Sequence, residues 1–187
     1  MGVLYEGDLL DPATRVVSVD IARAGIYPAM VCFELLSTVL DPAGVRQDHI
    51  IMNRVVDRAG VVTGAAISGT KIGGPVDGRT LIFPDPMGAT GSSISEVLRF
   101  YREHGEGTPA RLVSLNLIVT PEYLRRILVD EPRLIIYAFR VDRGLSPPDV
   151  LARVPGEDWD RERGLDDHDY IVPGAGGLGE VLNNAAT

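Results

Sequence analysis

The most constraining feature of this sequence is a nine-residue turn that joins an apolar run to an amphipathic segment. Residues 80–83 have the apolar character of a buried strand, and residues 93–104 carry apolar side chains at helical spacing. The turn between them reads Asp85-Pro86-Met87-Gly88-Ala89-Thr90-Gly91-Ser92-Ser93. Because backbone amides at the start of a helix attract anions, this turn is a candidate phosphate cradle. The alternative is an ordinary strand-to-helix turn that is capped by Ser92 or Ser93.

Apolar runs of strand length alternate with helical patterns along most of the chain. We predict strands at 16–21, 49–55, 80–83, 111–119 and 134–141, and helices at 27–39, 93–104 and 121–129. Residues 61–72 mix β-branched residues with glycines, which predicts an exposed hairpin or flap. The alternation is typical of parallel βαβ units, so we expect an α/β fold with a parallel sheet of about five strands flanked by helices.

Length and composition bound the organisation of the chain and its partners. A chain of 187 residues that is 45% hydrophobic and 24% charged fits one globular domain over 1–187. Residues 146–169 are rich in proline and acidic side chains, and we interpret about 146–163 as a polar insert rather than core. The net charge of -8 opposes binding to nucleic acid or to an anionic membrane, so neither is expected as a partner.

Cysteine and histidine usage argues against redox and metal chemistry. Cys32 is the only cysteine, and its apolar surroundings favour a buried inert thiol over a nucleophile. His49, His104 and His168 are widely separated, which predicts packing or surface roles rather than a metal site. The apolar stretches are too short to span a membrane and no leader pattern opens the sequence, so we expect a cytoplasmic protein.

The turn resembles the phosphoribosyl pyrophosphate loop of the uracil phosphoribosyltransferase family, in which an aliphatic strand precedes Asp-Pro-Met-x-Ala-Thr-Gly-Gly-Ser. Here Ser92 replaces one glycine of that pattern. Residues 22–25, 52–54 and 170–176 are similar to three further segments of the family, the last of which binds the base. The resemblance runs from about 16 to 179. It implies a type I phosphoribosyltransferase-like core with a flap hairpin and a C-terminal base-binding loop.

The resemblance also implies which residues bind the sugar and the phosphates. Asp85 would hold the ribose hydroxyls, and Arg23 and Arg54 would contact the pyrophosphate. The residues implied for the 5-phosphate are Ala89, Thr90, Gly91, Ser92 and Ser93. Magnesium would bind through the pyrophosphate, with no direct protein ligand.

The base would be read mainly by backbone groups. The resemblance assigns this role to Ile171 and Gly176, with Tyr170 and Met87 near the ring. Backbone readout suits a small planar base, because fixed groups reject a base whose donors and acceptors are in the wrong order.

The sequence departs from the family pattern in three places. Gly177 stands where the family has an aspartate near the ribose and pyrophosphate. The segment before the first strand is only about 15 residues long, whereas in the family it contributes to the dimer contact. Residues 146–163 are extra relative to the family pattern, and they could form either a lid or a subunit contact. We expect a homodimer or a higher homo-oligomer.

Taken together, the resemblance implies an enzyme of pyrimidine salvage that joins uracil to phosphoribosyl pyrophosphate, giving UMP and pyrophosphate. Its chemistry needs no covalent nucleophile, in keeping with the absence of a Ser-His-Asp or Cys-His pattern. Two alternatives stay open. One is a catalytically weak or inactive ligand-sensing or interaction module, which Gly177 and the short N-terminal segment favour. The other is a transferase for another pyrimidine-like base.

Overall fold

A computed structural model describes residues 10–56 and 62–183, without side chains at 54–56, 62–65, 180 and 182–183. In chain order the strands are β1 (Val16–Ala22), β2 (Val45–Val56), β3 (Val62–Lys71), β4 (Thr80–Pro84), β5 (Met87–Gly88), β6 (Arg111–Val119) and β7 (Leu134–Val141). The α-helices are α1 (Ile26–Val39), α2 (Ser92–His104), α3 (Pro121–Asp130), α4 (Pro148–Leu151) and α5 (Leu178–Asn183). Short 3-10 helices lie at Pro42–Gly44 and Trp159–Arg161.

One sheet organises these elements. Its order is β3-β2-β1-β4-β6, and β7 and the short β5 both pair with β6. Strands β2, β1, β4, β6 and β7 run parallel, while β3 is antiparallel to β2. The predicted α/β fold with about five parallel strands is therefore confirmed.

Each face of the sheet carries its own apolar cluster. On one face, β1 and β4 pack against α2 and α3. The buried stripe of α2 is Ile94, Val97, Leu98 and Tyr101, as its helical spacing predicts. On the opposite face, α1 covers Val16, Val45 and Ile82. The sheet is thus covered on both faces at β1 and β4, and these strands are the most buried of the sheet.

The strand order changes direction at β1, because the chain adds β2 on one side of β1 and β4 on the other. In an open parallel sheet, this arrangement leaves a crevice outside the carboxyl ends of the two diverging strands. The turn that follows β4 and the loop that follows β1 both lie at this edge. The topology therefore brings the two segments together although they are far apart in sequence.

The second strand begins at Val45 rather than at residue 49, because charged residues obscure its start. Asp48 is fully buried and accepts hydrogen bonds from Arg46 Nε (3.0 Å), the Tyr101 hydroxyl (2.8 Å) and the Gly73 N–H (2.9 Å). At its other end β2 pairs with β3, so the predicted flap is a two-stranded extension of the sheet. Residues 57–61 between the two strands lie outside the described part.

Helix α1 is apolar on most of its surface. Cys32 is half-buried against the cluster that α1 covers, and burial raises the pKa of its thiol, which agrees with an inert cysteine. In the described part of the chain, none of the helices combines the length and the apolar character needed to cross a bilayer.

The polar insert is folded, which corrects the expectation that it lacks core residues. It contains α4 and a 3-10 helix, and Val150 and Glu162 within it are fully buried. Glu162 pairs with the buried Arg143 of the preceding segment. No local pattern predicts the burial of Glu162, because its cationic partner Arg143 is distant in sequence.

Candidate functional site

The turn after β4 forms a small cavity at the start of α2. The residues that line it are Asp85, Met87, Gly88, Ala89, Thr90, Gly91, Ser92, Ser93, Ile94 and Tyr123. All six predicted residues from Met87 to Ser93, together with Asp85, are therefore brought to one place. The cavity opens at the start of α2, where the first amides have no acceptor within the helix, so it has the geometry of an anion site.

The tight backbone of the cradle depends on Gly91. This glycine precedes the first residue of α2 with a φ of 78°, in the left-handed region that other residues rarely adopt. Thr90 and Ser92 share a hydrogen bond between their hydroxyls (2.8 Å), and Thr90 Oγ1 also accepts from the Ser92 N–H (3.3 Å). Two hydroxyls are thus already oriented at the helix start, and a phosphate would add to an existing network.

The cradle is fixed to the end of β6. The Thr120 N–H donates to the Gly88 carbonyl (3.0 Å), and Thr120 Oγ1 donates to the Ala89 carbonyl (2.6 Å). Gly88 allows this approach, because a Cβ atom there would lie 2.9 Å from a Val119 methyl and 3.0 Å from the Tyr123 ring. Sequence reasoning missed Thr120 and Tyr123, which belong to the following strand and helix.

Asp85 is the acidic group of the cavity. Burial raises the pKa of its carboxyl to about 6, although the hydrogen bond from the Met87 N–H (3.3 Å) opposes this shift. Its backbone is held by β6, through its N–H to Leu115 and its carbonyl, which accepts from Asn116 Nδ2 (2.6 Å). The Asp85 carboxylate therefore faces the cavity on a backbone that β6 holds in place.

A second loop, at 170–177, lies at the same edge of the sheet. The Gly174 N–H donates to Asp142 Oδ2 (2.8 Å), and the Gly144 N–H donates to the Val172 carbonyl (2.8 Å). The Asp142 N–H in turn donates to the Val119 carbonyl (2.8 Å), one residue before Thr120. Hydrogen bonds therefore connect the C-terminal loop with the cradle through the end of β6.

Three of the residues predicted for the base, Tyr170, Ile171 and Gly176, belong to this second loop and do not line the cavity of the cradle, whereas Met87 does line it. Tyr170 is half-exposed and donates its N–H to Asp166 Oδ1 (2.9 Å). Ile171 forms an isolated bridge with Leu165. Gly176 has a φ of 66° and open space around its Cα, which suits the close approach of a ligand. Sequence reasoning missed Asp142, because an acidic residue at the end of a strand does not indicate a role until its hydrogen-bond partner, here the Gly174 N–H, is known.

The loop after β1 adds Arg23. The Ala22–Arg23 peptide bond is cis, and a Cβ atom on Gly25 would lie 2.6 Å from the Ile21 carbonyl oxygen, so this turn requires a glycine. Arg23 is exposed and does not line the cavity of the cradle. A Cβ atom on Gly179 would lie 3.4 Å from Ala24, so helix α5, which follows the C-terminal loop, reaches the loop after β1. Arg54 lies on β2, and its side chain is outside the described residues.

Arg126 is a basic side chain beside the cradle that sequence reasoning did not single out. A Cβ atom on Gly91 would lie 3.3 Å from its Cδ, so the side chain passes next to the start of α2. Its Nε pairs with Asp130 Oδ2 at 3.3 Å, and Ser95 also donates to that oxygen. The half-exposed guanidinium adds positive charge close to the anion site.

Metal-binding side chains are not clustered in the described residues, where no group of three or more His, Cys, Asp or Glu is arranged to hold an ion. His49 instead pairs with the buried Asp20 (3.0 Å), and His104 stacks on Phe100. Among the described residues, this donor set fits a Mg²⁺ ion that is held mainly by the phosphate oxygens of a substrate rather than by a cage of protein ligands.

Comparison with known proteins identifies similar sequences. The sequence model of the family described as uracil phosphoribosyltransferase matches residues 1–162. The uracil phosphoribosyltransferase of Caldanaerobacter subterraneus subsp. tengcongensis is 34% identical over 113 residues, which are 60% of this chain and 42% of the relative. That of Thermococcus sibiricus is 35% identical over 85 residues, which are 46% of this chain and 36% of the relative. The matched segments thus span less than half of these curated relatives.

Comparison of folds gives a similar result over more of the chain. The AQ2163 protein from Aquifex aeolicus has a TM-score of 0.64 and 25% sequence identity, covering 89% of this chain and 64% of that chain. The fold similarity therefore includes most of the sheet and its flanking helices, on which the cradle and the C-terminal loop are built.

Proposed function

Because the chain belongs to the uracil phosphoribosyltransferase family, we propose that it transfers the phosphoribosyl group of 5-phosphoribosyl pyrophosphate to uracil, giving UMP and pyrophosphate. One observation carries this proposal. The cavity at the start of α2 combines hydroxyls, helix amides and the Asp85 carboxylate at the crevice of a parallel sheet. Phosphate and ribose hydroxyls need this combination of donors and acceptors.

In the proposed complex the cradle holds the 5-phosphate. Amides at the start of α2 and one of the two hydroxyls of Thr90 and Ser92 donate to the phosphate oxygens, since the other hydroxyl donates its proton within that pair, and Asp85 accepts from the ribose hydroxyls. The network between Thr90 and Ser92 fixes these donors before the ligand arrives. A site that is already ordered spends less binding free energy on its own organisation.

Breaking the bond at C1 of the ribose develops positive charge on the sugar and negative charge on the departing pyrophosphate. We assign stabilisation of the pyrophosphate to Arg23, which follows β1, and to Arg54, which lies near the end of β2. Magnesium, bound through the pyrophosphate, would neutralise part of the same charge. The reaction then needs orientation and charge, and no covalent intermediate.

The base is assigned to the C-terminal loop. Backbone groups of Ile171 and Gly176 would pair with the edge of uracil, with Tyr170 and Met87 beside the ring. The tether from Gly174 to Asp142 supports this assignment, since it fixes a loop whose backbone must present donors and acceptors in one order.

The half-buried Cys32 is compatible with the reducing cytoplasm, in which we place this reaction.

Isothermal calorimetry with phosphoribosyl pyrophosphate and magnesium, followed by product analysis with uracil, tests the proposal. Binding followed by release of UMP and pyrophosphate is the expected result. Binding without turnover would select a ligand-sensing module, for which Gly177 is the favouring observation. Turnover with a different pyrimidine would keep the reaction and change the base.

We further propose that a second copy of the chain completes the molecule as a homodimer, and the exposed apolar surface supports this. The outer side of α1 exposes a stripe, and the sheet face next to α1 exposes another group on β6 and β7. The side chains in the two groups are Tyr27, Met30, Val31, Leu35, Val39, Leu117, Ile135, Tyr137 and Phe139, each 44–89% exposed. We call the first group the α1 ridge and the second the β6–β7 shelf.

The ridge and the shelf lie on the same side of the sheet. Val113 packs in the cluster that α1 covers, and the register pairs Val113 with Ile135 and Leu115 with Tyr137, so these side chains point to that side. A two-fold axis between ridge and shelf would place each ridge on the other copy's shelf, which is a self-complementary contact. Side chains of this size that are half exposed offer on the order of 800 Å² in total, as much as each partner of a standard interface buries.

A further inference from the structure

The extra segment between β7 and the C-terminal loop is organised around a buried ion pair. Arg143 Nη1 lies 3.0 Å from Glu162 Oε1, and the two side chains are 10% and 0% exposed. Arg143 also donates to the carbonyls of Val150 and Arg153, and Glu162 Oε1 accepts from the Gly156 N–H (2.7 Å). The pair therefore closes residues 143–162 into one folded unit.

Helix α3 holds this unit from one side. Arg125 donates to the carbonyls of Trp159 (2.6 Å) and Glu162 (3.1 Å), and its guanidinium lies 5.6 Å from the centre of the Trp159 ring. The Glu122 carboxylate accepts from the Gly164 N–H at 3.0 and 3.1 Å. Thr120, which caps the start of the same helix, binds the cradle, so cradle and insert share one support.

The residues that flank the insert on either side bind the C-terminal loop. Gly144, before the insert, donates to the Val172 carbonyl, and the Val172 N–H donates to the carbonyl of Gly164 at its other end, both at 2.8 Å. There is no room for a side chain at Gly164, because a Cβ atom would lie 2.1 Å from the Asp142 carbonyl oxygen. Both backbone groups of Val172 are therefore hydrogen-bonded. Val172 follows Ile171 and precedes Gly174, whose N–H is bonded to Asp142.

We propose that residues 146–163 act as a positioning element that holds the base-binding loop in its binding conformation, with Arg125 and Glu162 as its positioning residues. This inference rests on the proposed function for the identity of the ligand. The physical reason is preorganisation. The insert fixes the two flanking residues that hold the loop, and a loop held in this way loses less conformational entropy when its backbone groups pair with a base.

The role requires that loosening the insert weakens base binding and leaves sugar-phosphate binding unchanged. Ribose 5-phosphate and UMP are the paired probes, since they differ only by the base. In Arg125→Met, which removes two hydrogen bonds to the insert, we expect about tenfold weaker UMP binding and less than about twofold change for ribose 5-phosphate. With turnover, the KM for uracil should rise while kcat at saturating uracil changes little.

Controls separate this role from a general loss of structure. Arg133→Met also removes a hydrogen bond to a backbone carbonyl, that of Pro109, but Arg133 lies in the turn between α3 and β7, and the change should alter neither affinity. Arg125→Lys should recover part of the UMP affinity. Glu162→Gln tests the buried pair itself, and Arg125→Met still decides the matter if that variant does not fold.

Hydrogen exchange provides a measure that does not depend on the ligand. The amides of Gly144, Val172 and Gly174 should exchange at least about tenfold faster in Arg125→Met, while the amides of α2 keep their protection. Equal losses for both ligands, or unchanged UMP affinity and unchanged exchange, would overturn the positioning role. If the parent protein binds UMP no more tightly than ribose 5-phosphate, the proposed function fails. The hydrogen-exchange data then test the positioning role of the insert on their own.

Discussion

At the scale of single residues, the ionised Asp85 carboxylate destabilises the folded protein, and the same carboxylate is proposed to bind the ribose. Its pKa of about 6 lies above the usual value of 3.8 because burial disfavours the charged carboxylate. A raised pKa in the folded state means that the folded protein binds the proton more tightly than the unfolded chain does. The associated stability is fully present below about pH 4 and is lost as the pH rises through about 6.

We therefore expect Asp85→Asn to be more stable than the parent protein at about pH 7.5, by about 1 to 3 kcal/mol, and to lose this advantage near pH 4. Its affinity for phosphoribosyl pyrophosphate should nevertheless fall at least about tenfold, because the amide no longer accepts as a charged group. Chemical denaturation at both pH values and calorimetry measure the two effects. Asp167→Asn, at an exposed carboxylate, is the control. An Asp85→Asn variant that binds normally would move the ribose contact elsewhere.

Arg126 gives a second prediction at this scale. Its side chain passes beside Gly91, and removing one positive charge near a phosphate should weaken phosphoribosyl pyrophosphate binding about three- to tenfold in Arg126→Ala. Because the guanidinium is half-exposed, the effect should shrink at high salt. Calorimetry at two ionic strengths tests this, with Arg99→Ala as an exposed, ion-paired control on α2. An equal loss in both variants would assign the effect to overall charge.

The residues found from sequence and those missed differ in a physical way. Asp85 and the cradle are contiguous in the chain, so their chemistry is visible in one turn. Tyr123, Asp142 and Arg126 reach the same edge of the sheet only through the pairing of β6 with β4, β5 and β7. Their roles depend on contacts between distant segments, which no local pattern records.

At the scale of elements, α2 is the helix whose start matters most. Its predicted extent and apolar stripe were confirmed, because a strong helical period and a preceding glycine mark it clearly. Strands β6 and β7 also have their predicted limits, since each is an apolar run bounded by helix or turn signals. The start of β2 was missed, because its buried Asp48 is satisfied by the distant Tyr101 and Gly73.

The start of α2 gives a prediction for the cradle as a unit. In Thr90→Val the hydroxyl that contacts both the oxygen and the N–H of Ser92 is lost, so phosphoribosyl pyrophosphate should bind about ten- to a hundredfold more weakly. Thr38→Val makes the same change on α1, where the hydroxyl bonds only to the Leu35 carbonyl, and should leave binding unchanged. Calorimetry with folded variants measures both. Unchanged affinity in Thr90→Val would return the turn to an ordinary helix cap.

At the scale of the whole molecule, one side of the sheet is only partly covered by the residues that the structure describes. Helix α1 contacts β1, β2 and β4, whereas the shelf side chains on β6 and β7 remain exposed. Apolar patches on monomers seldom exceed about 300 to 600 Å², and the ridge and shelf together are larger than this. A helix that is apolar on most sides is typical of one that is buried on both faces.

The ridge-on-shelf dimer makes a prediction that simpler contacts do not make. Leu35→Lys in the ridge and Phe139→Glu in the shelf should each convert the dimer to monomers, without unfolding the chain, because both side chains are already exposed. Light scattering after size-exclusion chromatography measures the mass. Val154→Glu changes an exposed apolar side chain of the insert and should leave the dimer intact.

Mixing the two ridge and shelf variants then identifies the geometry. In a two-fold dimer that pairs ridge with shelf, one mixed contact joins the new lysine to the new glutamate, and the other keeps the original Leu35 and Phe139. The mixture should therefore recover dimers that neither variant forms alone. A ridge-to-ridge contact would be broken by Leu35→Lys and left intact by Phe139→Glu, and a shelf-to-shelf contact would show the reverse. A parent protein that stays monomeric at about 100 μM would remove the second copy from the proposal, since that concentration exceeds the dissociation constant of any interface of standard size and packing.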